Sequence, residues 1–436
     1  MLVRLFGSNF RSLKDPFELS MVAADLKRKE DRDRGVIEVP ITGMAEPLQL
    51  LRCLAIYGPN ASGKSTVLSA ARALRSLGTD SSAGSKPGAK IRMYEPFVLD
   101  DASRTTPIEL GCDVVYKKSI LRYEIVYESK TILREKLSVL NEKSEEILID
   151  RQPSGDVGGK LIARSDANRL YVKEMQPNVA VLSKLAQHGP HKGIESVQPY
   201  YMAIRNATRH ADYSNAAEFQ FRVGDPSEEK FADNADYRKW IMQHLIQAAD
   251  VGICDVHTRR ENIEIPEFVR EHFAKIDSNA KILDSRIAVS FVHEGSSQQT
   301  IEFSDESSGT KKLFNIAGDW WRLANEPITL LADELSASLH PRLLDRLIRA
   351  VNDAPKSVNS QLIFTTHDTG LLEGQDVLPP ALRRDQVYFT KKDSIGASEL
   401  YSLAEFKDDA RPVHNIRKRY LSGLYGAIPS VEKLSL

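Results

Sequence analysis

Cysteine, long apolar runs and net charge are all scarce in this sequence. The 436 residues include three cysteines, none in a Cys-x-x-Cys pair, so neither a disulfide framework nor a zinc ribbon is available. No apolar run approaches the ~18 residues that cross a bilayer, and residues 1–12 lack the order of a signal peptide. The net charge of −1 excludes an overall positive field that would hold nucleic acid or anionic lipid. We therefore expect a cytoplasmic protein without membrane contact.

The composition is that of an ordinary globular protein, with 42% hydrophobic and 27% charged residues. Three segments differ in character along the chain. Residues 1–150 predict an N-terminal lobe with a small antiparallel β subdomain, and residues 151–285 predict a helical insertion. Residues 286–436 predict a C-terminal lobe in which apolar strands alternate with helices. The fold class is therefore α/β with a parallel sheet.

Local patterns place the elements inside these segments. Residues 50–57 form a near-continuous apolar run before a glycine, which is typical of a buried strand that enters a loop. Further strands are predicted by β-branched and aromatic runs, and helices by the 3.6-residue period. The predicted strands are 108–115, 121–127, 136–140, 286–293, 298–303, 328–332 and 361–365, and the predicted helices of the insertion include 235–249 and 267–276.

The strongest chemical signal is Gly58-Pro-Asn-Ala-Ser-Gly63-Lys64-Ser65, which matches G-x-x-x-x-G-K-[ST] without a mismatch. It follows the predicted strand and precedes a helix-like run, as a phosphate-binding loop requires. Glycines let backbone N–H groups surround phosphate oxygens, Lys64 reaches the β- and γ-phosphates, and Ser65 offers its hydroxyl to Mg²⁺. The residues expected to bind ATP here are Asn60, Gly63, Lys64, Ser65 and Thr66.

A phosphate loop needs an acidic partner for hydrolysis. Asp333 and Glu334 follow the apolar run 328–332, which places both carboxylates at the carboxyl end of a buried strand. We expect Asp333 to hold Mg²⁺ and Glu334 to act as the general base toward water. His367 follows the strand predicted at 361–365, so it is expected at the same sheet edge near the γ-phosphate.

A second anion site is predicted where Ser307, Ser308, Gly309 and Thr310 precede an amphipathic helix, because small residues at a helix start leave its N–H groups accessible.

Taken in order, these motifs resemble the ABC-type ATPases of the SMC, RecF and OLD group. The series comprises the phosphate loop, a long insertion, Ser307 to Thr310, Asp333-Glu334, Ser338-Leu339-His340-Pro341 and Thr366-His367. The turn Asn9-Phe10-Arg11-Ser12 resembles the opening hairpin of that group. The C-terminal part, from Gln386 to Pro429, is similar to RloA-type ATPases and to the ATPase of the PARIS anti-phage system.

The resemblance implies an ABC-type P-loop NTPase head whose ATP site is shared between subunits. Ser307 and Gly309 of one subunit would contact the γ-phosphate held by another, Arg11 would contribute to nucleotide binding, and His367 would be the switch histidine. It implies a homo-oligomer that controls a separately encoded effector, such as a TOPRIM-type nuclease, in anti-phage defence. No glutamine occurs between Thr66 and Asp150, where the group's metal-binding glutamine falls, so slow hydrolysis is expected.

Two alternatives stay open: a RecF-like repair ATPase that binds DNA, and a scaffold that binds ATP but barely hydrolyses it. The basic stretch 411–420, with Arg417, Lys418 and Arg419, could meet DNA phosphates, a partner or only solvent. The charged run 27–34 is interpreted as a solvated segment. His188 and His191 lack a third ligand, which argues against a metal site there.

Overall fold

The computed structural model describes residues 1–25, 34–142, 144–190, 193, 196–212, 239–240, 242–246, 252–262, 267, 285–295, 297–337, 339–374, 378–406 and 415–429. Most of both predicted helices, 235–249 and 267–276, lies outside the described residues, as do 27–33, His191, Ser338 and 411–414. Among the described residues, no helix combines the length and apolar character needed to traverse a bilayer.

Two compact units make up the chain. The first comprises residues 1–211, 326–336 and 344–436, and the second comprises residues 212–325 and 337–343. The predicted division into segments 1–150, 151–285 and 286–436 stays a prediction.

The elements below are numbered along the described part of the chain. The strands are Leu2–Ser8 (β1), Phe17–Ser20 (β2), Val36–Val39 (β3), Leu48–Leu51 (β4), Cys53–Tyr57 (β5), Ile108–Tyr116 (β6), Ser119–Tyr127 (β7), Ile132–Asn141 (β8), Ser144–Arg151 (β9), Val157–Gly158 (β10), Arg209–Asp212 (β11), Ile253–Asn262 (β12), Ser285–His293 (β13), Gln299–Glu302 (β14), Thr329–Asp333 (β15), Gln361–Thr365 (β16), Val387–Lys392 (β17) and Ser398–Ser402 (β18). The α-helices are Lys64–Arg75 (α1), Ser81–Gly84 (α2), Asp101–Thr105 (α3), Lys160–Ala163 (α4), Asp166–Lys173 (α5), Val181–His188 (α6), Gln198–Ala207 (α7), Ser308–Asn325 (α8), Pro341–Asn352 (α9) and Ile416–Leu421 (α10). Single π-helical turns occupy Ser76–Asp80 and Met242–Ile246.

The first unit contains a six-stranded sheet in the order β11-β15-β16-β5-β17-β18. The pairs β15/β16, β16/β5 and β5/β17 are parallel, and β18 pairs with β17 in the antiparallel sense. Every residue of β5 and β16 is buried, which explains why both strands are nearly continuous apolar runs. Parallel pairing brings the carboxyl ends of β15, β16, β5 and β17 to one edge of the sheet.

A second, seven-stranded sheet of this unit is antiparallel in the order β10-β9-β8-β7-β6-β1-β2. Burial alternates along β7, as expected for a strand with one face on the core. Helix α1 buries Val67, Leu68, Ala71 and Leu74 at helical spacing, and the same apolar core includes residues of both sheets. The predicted antiparallel β subdomain is therefore confirmed.

The predicted strand at 50–57 is wrong in one respect. It is two strands, β4 and β5, which belong to different sheets and are separated by Arg52. Arg52 is 2% exposed, and its guanidinium donates to the carbonyls of Pro355 and Val358. An apolar pattern cannot reveal this switch between sheets, because Leu50 and Leu51 of β4 are buried like every residue of β5.

The second unit contains a three-stranded antiparallel sheet in the order β12-β13-β14. Strands β13 and β14 correspond to the predicted hairpin, whereas β12 lies inside the segment predicted to be helical and was missed. Phe291, Phe303 and Phe314 pack against one another beside this sheet, with ring centroids 5.3 to 6.2 Å apart. Helix α8 buries Leu313, Ile316 and Trp320, as its amphipathic pattern predicts.

Candidate functional site

The loop between β5 and α1 has the geometry that its glycines predict. Gly63 precedes α1 with φ 108° and ψ 8°, a conformation that L side chains rarely adopt. A Cβ at this position would lie 2.4 Å from Ser398 Oγ, so steric crowding also requires glycine. Asn60 and Ser65 are exposed, and Thr66 is half-buried on the first turn of α1. The loop therefore presents polar groups and the positive end of a helix at the sheet edge.

Lys64 is buried inside its own loop. Its ammonium donates to the carbonyl oxygens of Gly58 and Pro59 at 3.0 and 2.9 Å, and the residue is 7% exposed. Burial lowers the pKa of Lys64, while the charges of Asp333 and Glu334 act to raise it. The ammonium thus occupies a site that favours loss of its charge, and an anion in the loop would restore the preference for the charged form.

Hydroxyl groups from distant parts of the chain hold this loop. Ser62 Oγ and Thr390 Oγ1 are 2.6 Å apart, which joins the loop to β17. Ser398 on β18 donates to the Ser62 carbonyl at 2.7 Å and lies 2.8 Å from Ser12 Oγ. Ser12 Oγ is in turn 3.3 Å from Thr66 Oγ1. The N-terminal turn and the β17/β18 hairpin therefore both fix the phosphate loop.

Asp333 and Glu334 lie at the carboxyl end of β15. Glu334 is exposed and has φ 48°, a left-handed conformation that costs a non-glycine residue about 1–2 kcal/mol. Its N–H donates to Thr365 Oγ1 at 2.8 Å, and the same hydroxyl donates to Asp333 Oδ1 at 2.5 Å. The N–H of Leu335 donates to the Thr365 carbonyl at 3.2 Å. Strand β16 therefore fixes the turn that carries both carboxylates.

His367 follows β16 at the same edge. It is exposed, and its pKa lies below the ordinary histidine value because of partial burial and the nearby charge of Lys64, with Glu334 acting in the opposite direction. Lys64, Asp333, Glu334 and His367 are thus close enough to influence one another's charge, as the strand order predicts.

Ser307 and Gly309 belong to the second unit, in the turn 303–310 that leads into α8. Ser307 is the N-cap of α8, since its Oγ accepts the N–H of Thr310 at 3.1 Å. The adjacent Glu306 is held by His293, whose Nε2 lies 2.5 Å from the carboxylate. Ser307 is exposed and Gly309 is half-buried, so the start of α8 is accessible.

Arg11 lies in the N-terminal turn and pairs with Glu95. Its Nε donates to the Glu95 carboxylate at 2.5 Å, its Nη1 donates to Ser69 Oγ on α1 at 2.9 Å, and its φ is 51°. Arg11 also lines an open cavity of about 490 Å³ together with Lys90, Tyr94 and Arg104. Contact with α1 places Arg11 beside the helix that begins at Lys64.

Comparison with protein families identifies the family of the chain that carries this site. The model of the family described as "AAA domain, putative AbiEii toxin, Type IV TA system" matches residues 53–373, a range that contains the phosphate loop, Asp333-Glu334 and His367. The chain belongs to this family. Its fold is that of an AAA-type P-loop ATPase, and the predicted class, α/β with an ABC-type P-loop NTPase head, is confirmed.

Solved structures similar to this AAA-family chain include SMC head domains. One is the SmcHead bound to the C-winged helix domain of ScpA, with 13% identity, a TM-score of 0.43, and coverage of 93% of this chain and 99% of that one. Another is the SMC head domain from Thermotoga maritima, with 12% identity, a TM-score of 0.38, and coverage of 92% and 98%. A third is the Smc head domain with an extended coiled coil derived from Pyrococcus furiosus, bound to the C-terminal domain of ScpA, with 11% identity, a TM-score of 0.42, and coverage of 97% and 99%. No curated protein matches the sequence.

The AAA-family site offers oxygen donors of the type that Mg²⁺ prefers. Ser65 presents an exposed hydroxyl at the start of α1, and Asp333 presents a carboxylate whose charge reaches the neighbouring Lys64. No cluster of three or more His, Cys, Asp or Glu side chains suited to a metal occurs in the part of the chain that is described. Mg²⁺ bound with phosphates needs only one or two protein ligands, so the donor set fits it.

Sequence patterns did not reveal Thr365, Thr390 or Ser398. Each lies in or beside a strand that pattern analysis treated only as scaffold, and each uses a hydroxyl to hold a residue of the AAA-family site. A signal was present for Thr365, since a hydroxyl at the last position of a buried strand must find a partner at the sheet edge.

Proposed function

We propose that this chain binds and hydrolyses ATP at a site shared between two copies of itself, and that this cycle controls a separately encoded effector. The observation that carries the proposal is the convergence of Lys64, Asp333, Glu334 and His367 at the carboxyl ends of neighbouring parallel strands. Ligands of parallel α/β sheets bind at this edge.

Nucleotide binding is supported by the state of Lys64. Its ammonium donates hydrogen bonds to two loop carbonyls, which take the place of phosphate oxygens. Its lowered pKa indicates that the ammonium is poorly solvated. Asn60, Gly63, Ser65 and Thr66 would supply backbone N–H groups or side chains to the phosphates, and Lys64 would turn from the loop carbonyls to the β- and γ-phosphates. Arg11 would assist nucleotide binding by replacing part of its ion pair with Glu95 by a contact with the nucleotide.

Hydrolysis is assigned to the carboxylates. Glu334 is exposed at the edge, so its carboxylate can accept the proton of a water molecule that attacks the γ-phosphate. His367, neutral near pH 7 because of its lowered pKa, can donate one N–H to a phosphate oxygen. Ser65 and Asp333 would hold Mg²⁺, which neutralises developing charge on the phosphates.

A shared site is supported by the accessible start of α8. Ser307 and Gly309 would contact the γ-phosphate bound by a second copy, since Ser307 is exposed at the N-terminus of α8 and a helix N-terminus suits an anion. Association of the copies would then depend on nucleotide.

The biological assignment is supported by sequence resemblance to RloA-type and PARIS ATPases. On that basis we propose a role in anti-phage defence with a nuclease, for example of the TOPRIM type, as effector. The RecF-like alternative depended on the basic stretch near the C-terminus, and in the structure Arg417 of that stretch pairs with Glu373 at 2.5 Å. One of the four cations in the stretch 411–420 is therefore already paired with a carboxylate.

Steady-state ATP turnover tests the proposal. We expect slow, Mg²⁺-dependent turnover by the wild type and loss of at least about 100-fold in Glu334→Gln, which keeps shape but cannot accept a proton. The control is Glu399→Gln, which changes an exposed carboxylate on β18 that pairs with Lys391. Glu334→Gln should also accumulate an ATP-dependent oligomer. Wild-type turnover in Glu334→Gln would refute the assignment of the base.

Co-purification with the products of neighbouring genes, with and without ATP, tests the control of an effector. A nuclease that co-elutes with Glu334→Gln in an ATP-dependent manner would support it. DNA affinity that falls log-linearly with salt, without any such protein, would instead favour the RecF-like alternative.

A further inference from the structure

Thr365 ends the strand β16, and its hydroxyl forms hydrogen bonds with the carboxylate of Asp333 and with the backbone N–H of Glu334. It is 0% exposed, and its two hydrogen bonds join β16 to two consecutive residues at the end of β15. The description of the family assigns it no role.

The direction of the two hydrogen bonds is fixed by donor chemistry. The backbone N–H of Glu334 can only donate, so Thr365 Oγ1 accepts from it. The single hydrogen of the hydroxyl is then available for Asp333 Oδ1 at 2.5 Å. A chain of two bonds, Glu334 N–H to Thr365 O–H to Asp333 Oδ1, therefore orients both residues at once, and it leaves Asp333 Oδ2 for other ligands.

The same chain stabilises an unfavourable backbone. Glu334 has φ 48°, and a residue in this region keeps it only when its surroundings impose it. Two bonds to Thr365 supply that constraint. The N–H of Glu334 donates to the Thr365 hydroxyl, and the N–H of Leu335 donates to the Thr365 carbonyl. Loss of the hydroxyl removes the constraint on the N-terminal side of Glu334 and leaves the bond of Leu335, so the Glu334 backbone and its carboxylate become less firmly held.

We propose that Thr365 is a positioning residue that sets the orientation of Asp333 toward Mg²⁺ and of Glu334 toward the attacking water. This inference rests on the proposed ATPase function. It predicts a specific defect, because the Thr365 hydroxyl bonds Asp333 and Glu334 and not the phosphate loop. Turnover and the response to Mg²⁺ should change, while affinity for ATP in the absence of metal should not.

The test compares Thr365→Val, which keeps shape but removes the hydroxyl, with Thr365→Ser, which retains it. The matched control is Thr329→Val. Thr329 is also 0% exposed, pairs with Gln361 across the same two strands, and donates its hydroxyl to Gln361 at 2.8 Å, but at the opposite end of the strands. If the hydroxyl of Thr365 served only to hold β15 against β16, Thr365→Val and Thr329→Val should therefore lower kcat equally.

We expect kcat of Thr365→Val to fall about tenfold and its half-maximal Mg²⁺ concentration to rise several-fold, with ATP affinity in EDTA within about twofold of wild type. Thr365→Ser should recover kcat to within about threefold, and Thr329→Val should lower the unfolding temperature without lowering kcat. If Thr365→Val does not fold, Thr365→Ala replaces it with the same expectation.

Equal kcat for wild type and the hydroxyl-free variant, or an equal loss in Thr329→Val, would overturn the positioning role. Absence of turnover in the wild type would instead overturn the proposed function itself, so the two failures are distinguishable.

Discussion

The first unit carries the phosphate edge, which comprises the loop 58–65, Asp333, Glu334 and His367 at the carboxyl ends of the parallel strands. It differs from the turn 303–310 of the second unit in how far apart in sequence the stabilising contacts are. At the phosphate edge, the bonds that fix the loop join residues far apart in sequence: Ser12 and Ser398 are 386 positions apart, and Ser62 and Thr390 are 328 apart. In the turn, Ser307 bonds Thr310 three positions away, and Glu306 bonds His293 thirteen positions away.

The difference indicates how each region depends on the rest of the fold. The phosphate edge exists only when β5, β15, β16 and β17 have paired, so its geometry is coupled to the stability of the whole sheet. The turn depends on nearby contacts, namely the cap of α8, the acid–histidine contact and the packing of Phe303 against Phe291 and Phe314, so it can change without disturbing the six-stranded sheet. Substitutions at the edge should therefore alter ATP binding and chemistry within one copy, and substitutions in the turn should alter association.

The largest expected effect is that of Lys64→Ala at the phosphate edge. We expect ATP affinity to fall at least about 100-fold, because the ammonium is the only side-chain cation that the loop supplies. The unfolding temperature should not fall, since burial of this ammonium is unfavourable, as its lowered pKa shows. Calorimetric titration with ATP measures the affinity, and exposed Lys86 changed to alanine is the control. Unchanged affinity would remove Lys64 from the site.

The sequence predicted those parts of the phosphate edge that form short contiguous motifs. The phosphate loop, Asp333-Glu334 and His367 each follow an apolar strand, and parallel strands bring their carboxyl ends together whatever the details of packing. Ser307 was also predictable, because a helix cap involves residues three positions apart.

The sequence could not predict the braces from distant strands. Ser398 and Thr390 acquire their role only when β17 lies beside β5 and β18 beyond it, and no local pattern contains that order. Arg52 was missed for a related reason. Its buried guanidinium donates hydrogen bonds to the carbonyls of Pro355 and Val358, about 300 residues later in the chain, and no local pattern contains them. Strand β12 was missed because its sequence lies within a segment dominated by helical stretches.

Ser307→Arg tests whether the turn acts between copies. We expect nucleotide-dependent association to weaken at least about 30-fold, because the large side chain would occupy the space proposed for the γ-phosphate. ATP binding by the single copy should stay within about twofold of wild type. Light scattering in the Glu334→Gln background measures association.

The control for this change is Ser307→Ala, which removes the cap but adds no bulk. It should destabilise α8 by about 1 kcal/mol and reduce association less than the arginine does. A normal ATP-dependent oligomer in Ser307→Arg would show that the turn lies outside the shared site.

Ser398→Ala tests whether the distant braces matter for binding. It removes the hydroxyl that holds both Ser62 and Ser12, so we expect ATP affinity to fall about fivefold through loss of a preorganised loop. Ser402→Ala on the same strand is the matched control, because its hydroxyl caps the short helix Leu403–Glu405 and does not contact the loop. Equal affinities for wild type and Ser398→Ala would indicate that the loop keeps its shape without this brace, and the contrast between the two regions would weaken.

The smallest effect concerns His367 and appears only on the acid side. Its pKa is lowered from the ordinary value of 6.5, so in the free protein the imidazole stays neutral until the pH falls below that value. Because kcat/KM reports groups of the free enzyme, its profile should be flat from about pH 8 to the ordinary histidine pKa and should decline only at lower pH. His367→Gln should lose that decline while keeping ATP affinity. A decline centred above pH 6.5 that vanishes in His367→Gln would contradict the electrostatic arrangement of Lys64 and His367 at this sheet edge.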